Sequence, residues 1–239
     1  MTSSTTFNTV GRVIQVAYES AGLVADGSNP NSEQLARGIN RLNSLVNYFQ
    51  TKGLKLFTLV DTAVTLVSGT SMYSIGPGAT GLSMTKPLRA LWGYFLSSGG
   101  NRTPLTLVSW KEIVQLQTAN NTGQPCNFFV DKQVANLAVT VWPTPDATSA
   151  TGSLHLVLQT QIANTTGLTD QTSFPAEWFL ALMWGLADEI CTGQPQEIVQ
   201  RCAAKAERYR TDAENWDVED APTFFTPDTR GGMYGNSFS

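Results

Sequence analysis

The sequence is poor in the residues that carry out chemistry. Its 239 positions hold one histidine, His155, and three cysteines, Cys126, Cys191 and Cys202. A zinc site needs several His or Cys at ligand spacing, and none lies near His155 in sequence. A Gly-x-Ser-x-Gly elbow, an HExxH helix and a Cys–His arrangement are also missing. The cysteines are odd in number and never spaced C-x-x-C, so they are expected to be reduced, buried thiols. Charged residues make up only 14% of the chain, against about a quarter in ordinary domains. Fifteen basic residues are scattered among 19 acidic ones, for a net charge of −4. Tight binding to nucleic acid draws on many phosphate contacts from Lys and Arg, and this balance argues against it. No apolar run approaches the roughly 18 residues of a membrane span. Residues 1–9 lack the basic start and apolar core of a secretory leader.

The remaining acidic and glycine-rich stretches read as ordinary. Residues 76–81 are glycine-rich but lack the Gly-Lys-Ser/Thr ending that cradles phosphate, so a hairpin loop is expected. Asp188 and Glu189 are adjacent on a helix and point in different directions, as solvated charges do. The run Asp212, Glu214, Asp217, Glu219, Asp220 is spaced unlike a calcium loop. His155 sits in the strand-like run Leu154–Leu158, and alternation puts it opposite Leu154, Leu156 and Leu158 on a lightly covered face. The expectation is a protein that is not an enzyme and uses no metal and no cofactor.

What is present is a strong pattern. Val10, Val13, Ile14, Ala17, Tyr18 and Ala21 recur at helical spacing. Asn31 and Gln34 can form a capping box that opens a second helix, with the stripe Leu35, Ile39, Leu42, Val46 and Phe49 and with Gly53 as its C-terminal cap. From 56 onward the composition turns to Val, Thr, Leu and aromatics broken by Gly, Pro and Asn. Strands are expected at 57–67, 72–75, 88–96, 105–108, 128–130, 138–142 and 154–160, with one short helix opened by a Ser109–Glu112 capping box. Helix returns at Pro175, breaks at Gly193–Pro195, and resumes from about Gln196 to Trp216.

This order predicts an α+β fold: a four-helix bundle from N- and C-terminal helices with an inserted antiparallel β-domain. The bundle would take residues 1–55 and 168–216, the β-domain 56–167, and an extended C-terminal arm 217–239. The arm has no period, yet it carries Phe224, Phe225, Tyr234 and Phe238. Disordered tails are usually poor in aromatics. Burying four rings and ordering more than twenty residues are free-energy terms of similar size, so the arm has no surplus to fold alone. It is expected to dock on a partner through those four residues.

A series of short motifs then carries a resemblance. The helical pair ends in residues 42–54, and a Tyr-Ser-Ile-Gly-Pro-Gly hairpin follows at 73–78. Next come Pro87-Leu88-Arg89, Gly123-Gln124-Pro125, Val141-Trp142-Pro143-Thr144-Pro145-Asp146 and Phe174-Pro175-Ala176-Glu177-Trp178. Their order and spacing over residues 7–216 resemble the head-to-tail adaptor proteins of short-tailed bacteriophages, also called packaged-DNA stabilisation proteins or tubular tail protein A. The resemblance implies a homo-oligomeric ring, usually of twelve copies, beneath the phage portal protein. Such a ring extends the DNA channel, helps retain packaged DNA, and offers a platform to the tail nozzle protein and to a tail fibre or spike. DNA would pass without sequence-specific binding. The protein would be made in the host bacterial cytoplasm and reside in the virion, at the head–tail junction. The competing reading is a receptor- or glycan-binding tail component, which the aromatic and Asn/Thr-rich β-region would serve.

Overall fold

The structure is a computed structural model, and it describes residues 8–52, 56–116 and 121–218. The first helix, α1 (Val10–Ser20), buries Val10, Val13, Ile14, Ala17 and Tyr18, the stripe its spacing predicts. The second, α2 (Ser32–Thr51), opens on the reciprocal Asn31–Gln34 capping box. Its C-cap is Lys52; Gly53 lies outside the described residues.

Two further helices follow the strands. The short α4 (Phe179–Ile190) is entered through a single 3-10 turn, Ala176–Trp178, rather than directly from Pro175. The long α5 (Gln196–Trp216) completes the set. Nine of the twelve residues of α4 are buried, on every side of the helix. A helix apolar all round belongs at the centre of a core. Accordingly α1, α2 and α5 each pack on α4. The expected four-helix bundle is therefore not formed. Bundle helices pair around a shared seam, whereas here α2 and α5 flank α4 and leave a groove between them.

The strands form one sheet of eight among the described residues, in the order β1-β8-β4-β5-β6-β7-β2-β3. Their spans are β1 (Leu59–Thr65), β2 (Met72–Gly76), β3 (Leu82–Ser83), β4 (Arg89–Leu96), β5 (Arg102–Leu107), β6 (Asn127–Lys132), β7 (Leu137–Trp142) and β8 (Ser153–Gln159). The inner faces of both halves share one core. Val64, Phe95, Leu154, Leu156 and Leu158 meet Ile75, Phe128, Leu137, Val139 and Val141 there, so the sheet curls part-way into a barrel.

The sheet is mixed, not antiparallel as expected. The short helix α3 (Trp110–Leu116) carries the chain back, so β6 runs parallel to β5. A second parallel pair joins β2 to β3, a two-residue strand that the composition did not reveal. The molecule is thus a mixed α/β fold of five α-helices and eight strands among its described residues, in place of a bundle with an antiparallel insertion.

Residues from the strand region also enter the helical core. Phe57 and Ile162 pack there, beside Phe174 and Trp178. The buried Gln50 amide oxygen accepts the Ile162 N–H at 2.9 Å. Asn43 clamps Thr165 from both sides, accepting its N–H and donating to its carbonyl, each at 2.9 Å. Backbone groups with no ladder partner are satisfied by side-chain amides instead. The chain leaving β8 is thereby tied to α2.

Candidate interaction surfaces

His155 is the one histidine of the chain. Alternation does put it on the outer face of β8. Tertiary structure adds two partners that the sequence did not signal. Asp61 comes from β1, and its Oδ1 lies 3.1 Å from His155 Nδ1. Tyr94 comes from β4 and lies directly opposite His155 in the β4–β8 register. The Tyr94 hydroxyl donates to Asp61 Oδ2 at 2.7 Å and lies 3.1 Å from His155 Nδ1. Its single proton is committed to Asp61, so the consistent arrangement has the His155 proton on Nδ1. That proton is shared between Asp61 Oδ1 and the Tyr94 oxygen.

This is a clasp across three strands. Its hydroxyl is poorly suited to attack, because the hydrogen bond to Asp61 raises the Tyr94 phenol above its ordinary value. The rings continue outward. His155 stacks on Tyr94 with centroids 4.7 Å apart, Tyr94 stacks on Trp92 at 5.9 Å, and the Arg102 guanidinium lies 5.2 Å from the Tyr94 ring. A register shift between Ala90 and Trp92 makes Leu91 an extra residue in β4. That bulge leaves Ala90 on the inner face and puts Trp92 on the outer one, beside Val157; Tyr94, two residues on, shares its face by ordinary alternation. Trp92 ends the ladder 54% exposed.

A second aromatic stripe lies on the other half of the sheet. Trp110 of α3 meets Phe129 of β6 edge-on at 5.4 Å, and Phe129, Thr140 and Met72 are paired in successive strands. Trp110 and Met72 are 66% and 64% exposed. Exposed large apolar groups gathered on one face mark a contact surface rather than a fold requirement.

The groove between α2, α4 and α5 encloses about 270 Å³. Leu45, Phe49, Gly185 and Ala206 form its apolar lining, and Asp188, Glu189 and Glu207 its acidic side. Burial, then the neighbouring Glu189, raises the Asp188 carboxyl above its usual range. Asp188 is therefore not the plainly solvated charge its sequence context suggests.

Two of the cysteines behave as expected. Cys191 and Cys202 are buried, and burial pushes Cys191 up to about 11 and raises Cys202 as well. Cys126 departs from expectation and is exposed. Among the described residues no group of three or more His, Cys, Asp or Glu is placed to hold a metal ion. No helix among them is long and apolar enough to cross a membrane. Phe224, Phe225, Tyr234 and Phe238 lie outside the described residues.

A chain whose one histidine serves as a strand clasp, and which exposes Trp92 and Met72 on its sheet and Trp110 on the helix beside it, has surfaces suited to contact with other macromolecules. The family model of the SU10 adaptor protein matches residues 15–230, and the chain belongs to that family. It is a structural adaptor of a bacteriophage, with the virion as its place. A search of curated proteins returns no match.

Proposed function

We propose that this adaptor works at the head–tail junction. Copies form a ring, usually of twelve in adaptors of this kind, beneath the portal protein. The ring extends the DNA channel, helps to retain the packaged genome, and gives the tail nozzle its platform. The observation that carries the reading is the family match across almost the whole described chain. Composition agrees with it. A subunit of net charge −4 repeated around a channel repels DNA rather than gripping it, which favours fast exit of the genome. The two exposed aromatic stripes supply apolar area for neighbours without a large charge penalty.

The C-terminal arm, residues 217–239, is proposed to dock on portal or on a neighbouring copy, with Phe224 and Phe225 as anchors and Tyr234 and Phe238 behind them. The test is electron microscopy of the purified protein mixed with portal, alongside a chain ending at Trp216. The full chain is expected to form portal-capped rings; the shortened chain is expected to fold and stay soluble but not to join portal. A full chain that remains monomeric with portal present overturns the ring. A shortened chain that binds portal unchanged overturns the arm. A glycan-binding tail component is the second reading, favoured by the half-exposed Trp92 stacked on Tyr94, whose ring Arg102 also covers. Binding to host surface glycans that is lost in Trp92→Ala, with no ring on portal, would favour it instead.

A further inference from the structure

The two edges of the sheet differ. The β3 edge is two residues long and follows Gly76–Gly81, so it offers almost no ladder. The β1 edge is seven residues long, and its register with β8 runs from Leu59 to Thr65 without a shift. Among the described residues no strand lies beyond it.

Proteins blunt such edges with proline, lysine, a bulge or a cover. The sequence of β1, LVDTAVT, contains no lysine and no proline, and its one charge, Asp61, is held by Tyr94 and His155. The backbone polarity of the edge can be read from one bond. Thr160 N–H donates to Thr58 O at 2.9 Å. Antiparallel alternation then turns residues 60, 62 and 64 toward β8, and leaves Leu59, Asp61, Ala63 and Thr65 with N–H and C=O aimed at the open side. Val60, on the core-facing side of this edge, is 44% exposed.

The chain itself contains a matching segment. Thr223-Phe224-Phe225-Thr226 is made of strand-favouring residues and is bracketed by Pro222 and Pro227. A proline cannot donate to a ladder, so the brackets set the length of any strand there at four residues. Five residues lie between Trp216, the end of α5, and Pro222, and these six steps of chain can span up to about 20 Å.

We infer that the open edge of β1 receives residues 223–226 of a neighbouring copy as an added strand. This rests on the proposed ring and names the arm's acceptor within it. Self-pairing of two β1 edges would be isologous and stop at a dimer, and the β3 edge is too short to be the complement. An arm given to one neighbour and an edge filled by the other is a heterologous contact, the kind from which a ring is built when its rotation closes. In an added strand, Phe224 and Phe225 point to opposite faces. One covers Val60 at the core margin and the other lies beside Ala63 on the outer face.

Disulfide trapping in the full-length assembly tests this. In a Cys126→Ser background, Ala63→Cys is combined in turn with cysteine at 223, 224, 225 and 226. Links between copies are expected at one alternate pair of positions, either 223 and 225 or 224 and 226, giving a ladder of multimers on a non-reducing gel. Absence of links in an intact ring, equal linking at all four positions, or links confined within single chains would each overturn the inference while the ring stands. A chain that stays monomeric with portal present removes both. As a second variant, Ala63→Pro deletes an N–H on the open side and spares the bonds to β8. It is expected to keep the wild-type melting temperature and to lose assembly as Phe224→Ala combined with Phe225→Ala does. Unimpaired assembly of Ala63→Pro would also overturn the pairing.

Discussion

Gly38 of α2 lies against Ile14 of α1 so closely that a Cβ on Gly38 would come within 2.6 Å of Ile14 Cγ2. The contact fixes how near the first two helices approach. It also explains a glycine in the middle of a twenty-residue helix, where propensity alone disfavours it by about 1 kcal/mol relative to alanine.

Gly38→Ala therefore sets two effects against each other. Helix propensity predicts a gain of about 1 kcal/mol. Overpacking against a fully buried, β-branched Ile14 predicts a loss of about 1–3 kcal/mol. The contact is expected to win, so the variant melts below wild type, and Gly38→Ala combined with Ile14→Ala, which removes both γ carbons, loses less than the two single changes added together. A Gly38→Ala protein more stable than wild type would show that the helices can separate freely.

His155→Gln should lower stability by about 0.5–1.5 kcal/mol, through loss of the shared Nδ1 proton in the clasp with Asp61 and Tyr94. Phage carrying it should remain infectious, since the clasp holds three strands together. Thermal melting and plaque counts check the two halves separately. Normal particles with lost infectivity would contradict a purely structural role.

Asp188→Asn should stabilise the protein at neutral pH. The carboxyl sits above its ordinary value of 3.8 in the folded protein, first through burial and then through Glu189. A folded value above the unfolded one means the native state binds the proton more tightly, so ionisation of Asp188 opposes folding. That penalty is complete above the folded value, shrinks as pH falls through it, and vanishes below the unfolded value. The melting-temperature gap between variant and wild type, followed from roughly pH 8 down to pH 4, should accordingly close toward acid. A gap that widens toward acid would reverse the assigned sign.

The helices were legible because their signals are local. The stripe of α1, the Asn31–Gln34 box of α2 and the limits of α5 each depend on residues within a turn or two of one another. Most strands were legible for the same reason, and so was the outward face of His155. The groove and the central position of α4 were not. Periodicity says that a helix has an apolar stripe, but the choice of neighbour rests on shape, here on Gly185 lying beneath Leu45 and Phe49. The parallel β5–β6 pair was hidden because composition carries no strand direction; the crossover through α3 decides it.

The candidate surfaces divide in the same way. The sequence by itself determined that one histidine and three unpaired cysteines leave little catalytic material, that the charge is sparse and slightly acidic, and which residues can line a helix or a strand. Only the tertiary structure decided that Asp61, Tyr94 and His155 share protons, because they lie 33 and 61 positions from Tyr94 along the chain and meet through strand register. Only the bulge at Leu91 decided that Ala90 turns inward while Trp92, two residues on, turns outward, since one inserted residue reverses the side to which a strand points on either side of it. And only the strand order decided that β1 stands at an open edge, because whether a ladder has a partner on its second side is set by how the whole sheet is assembled.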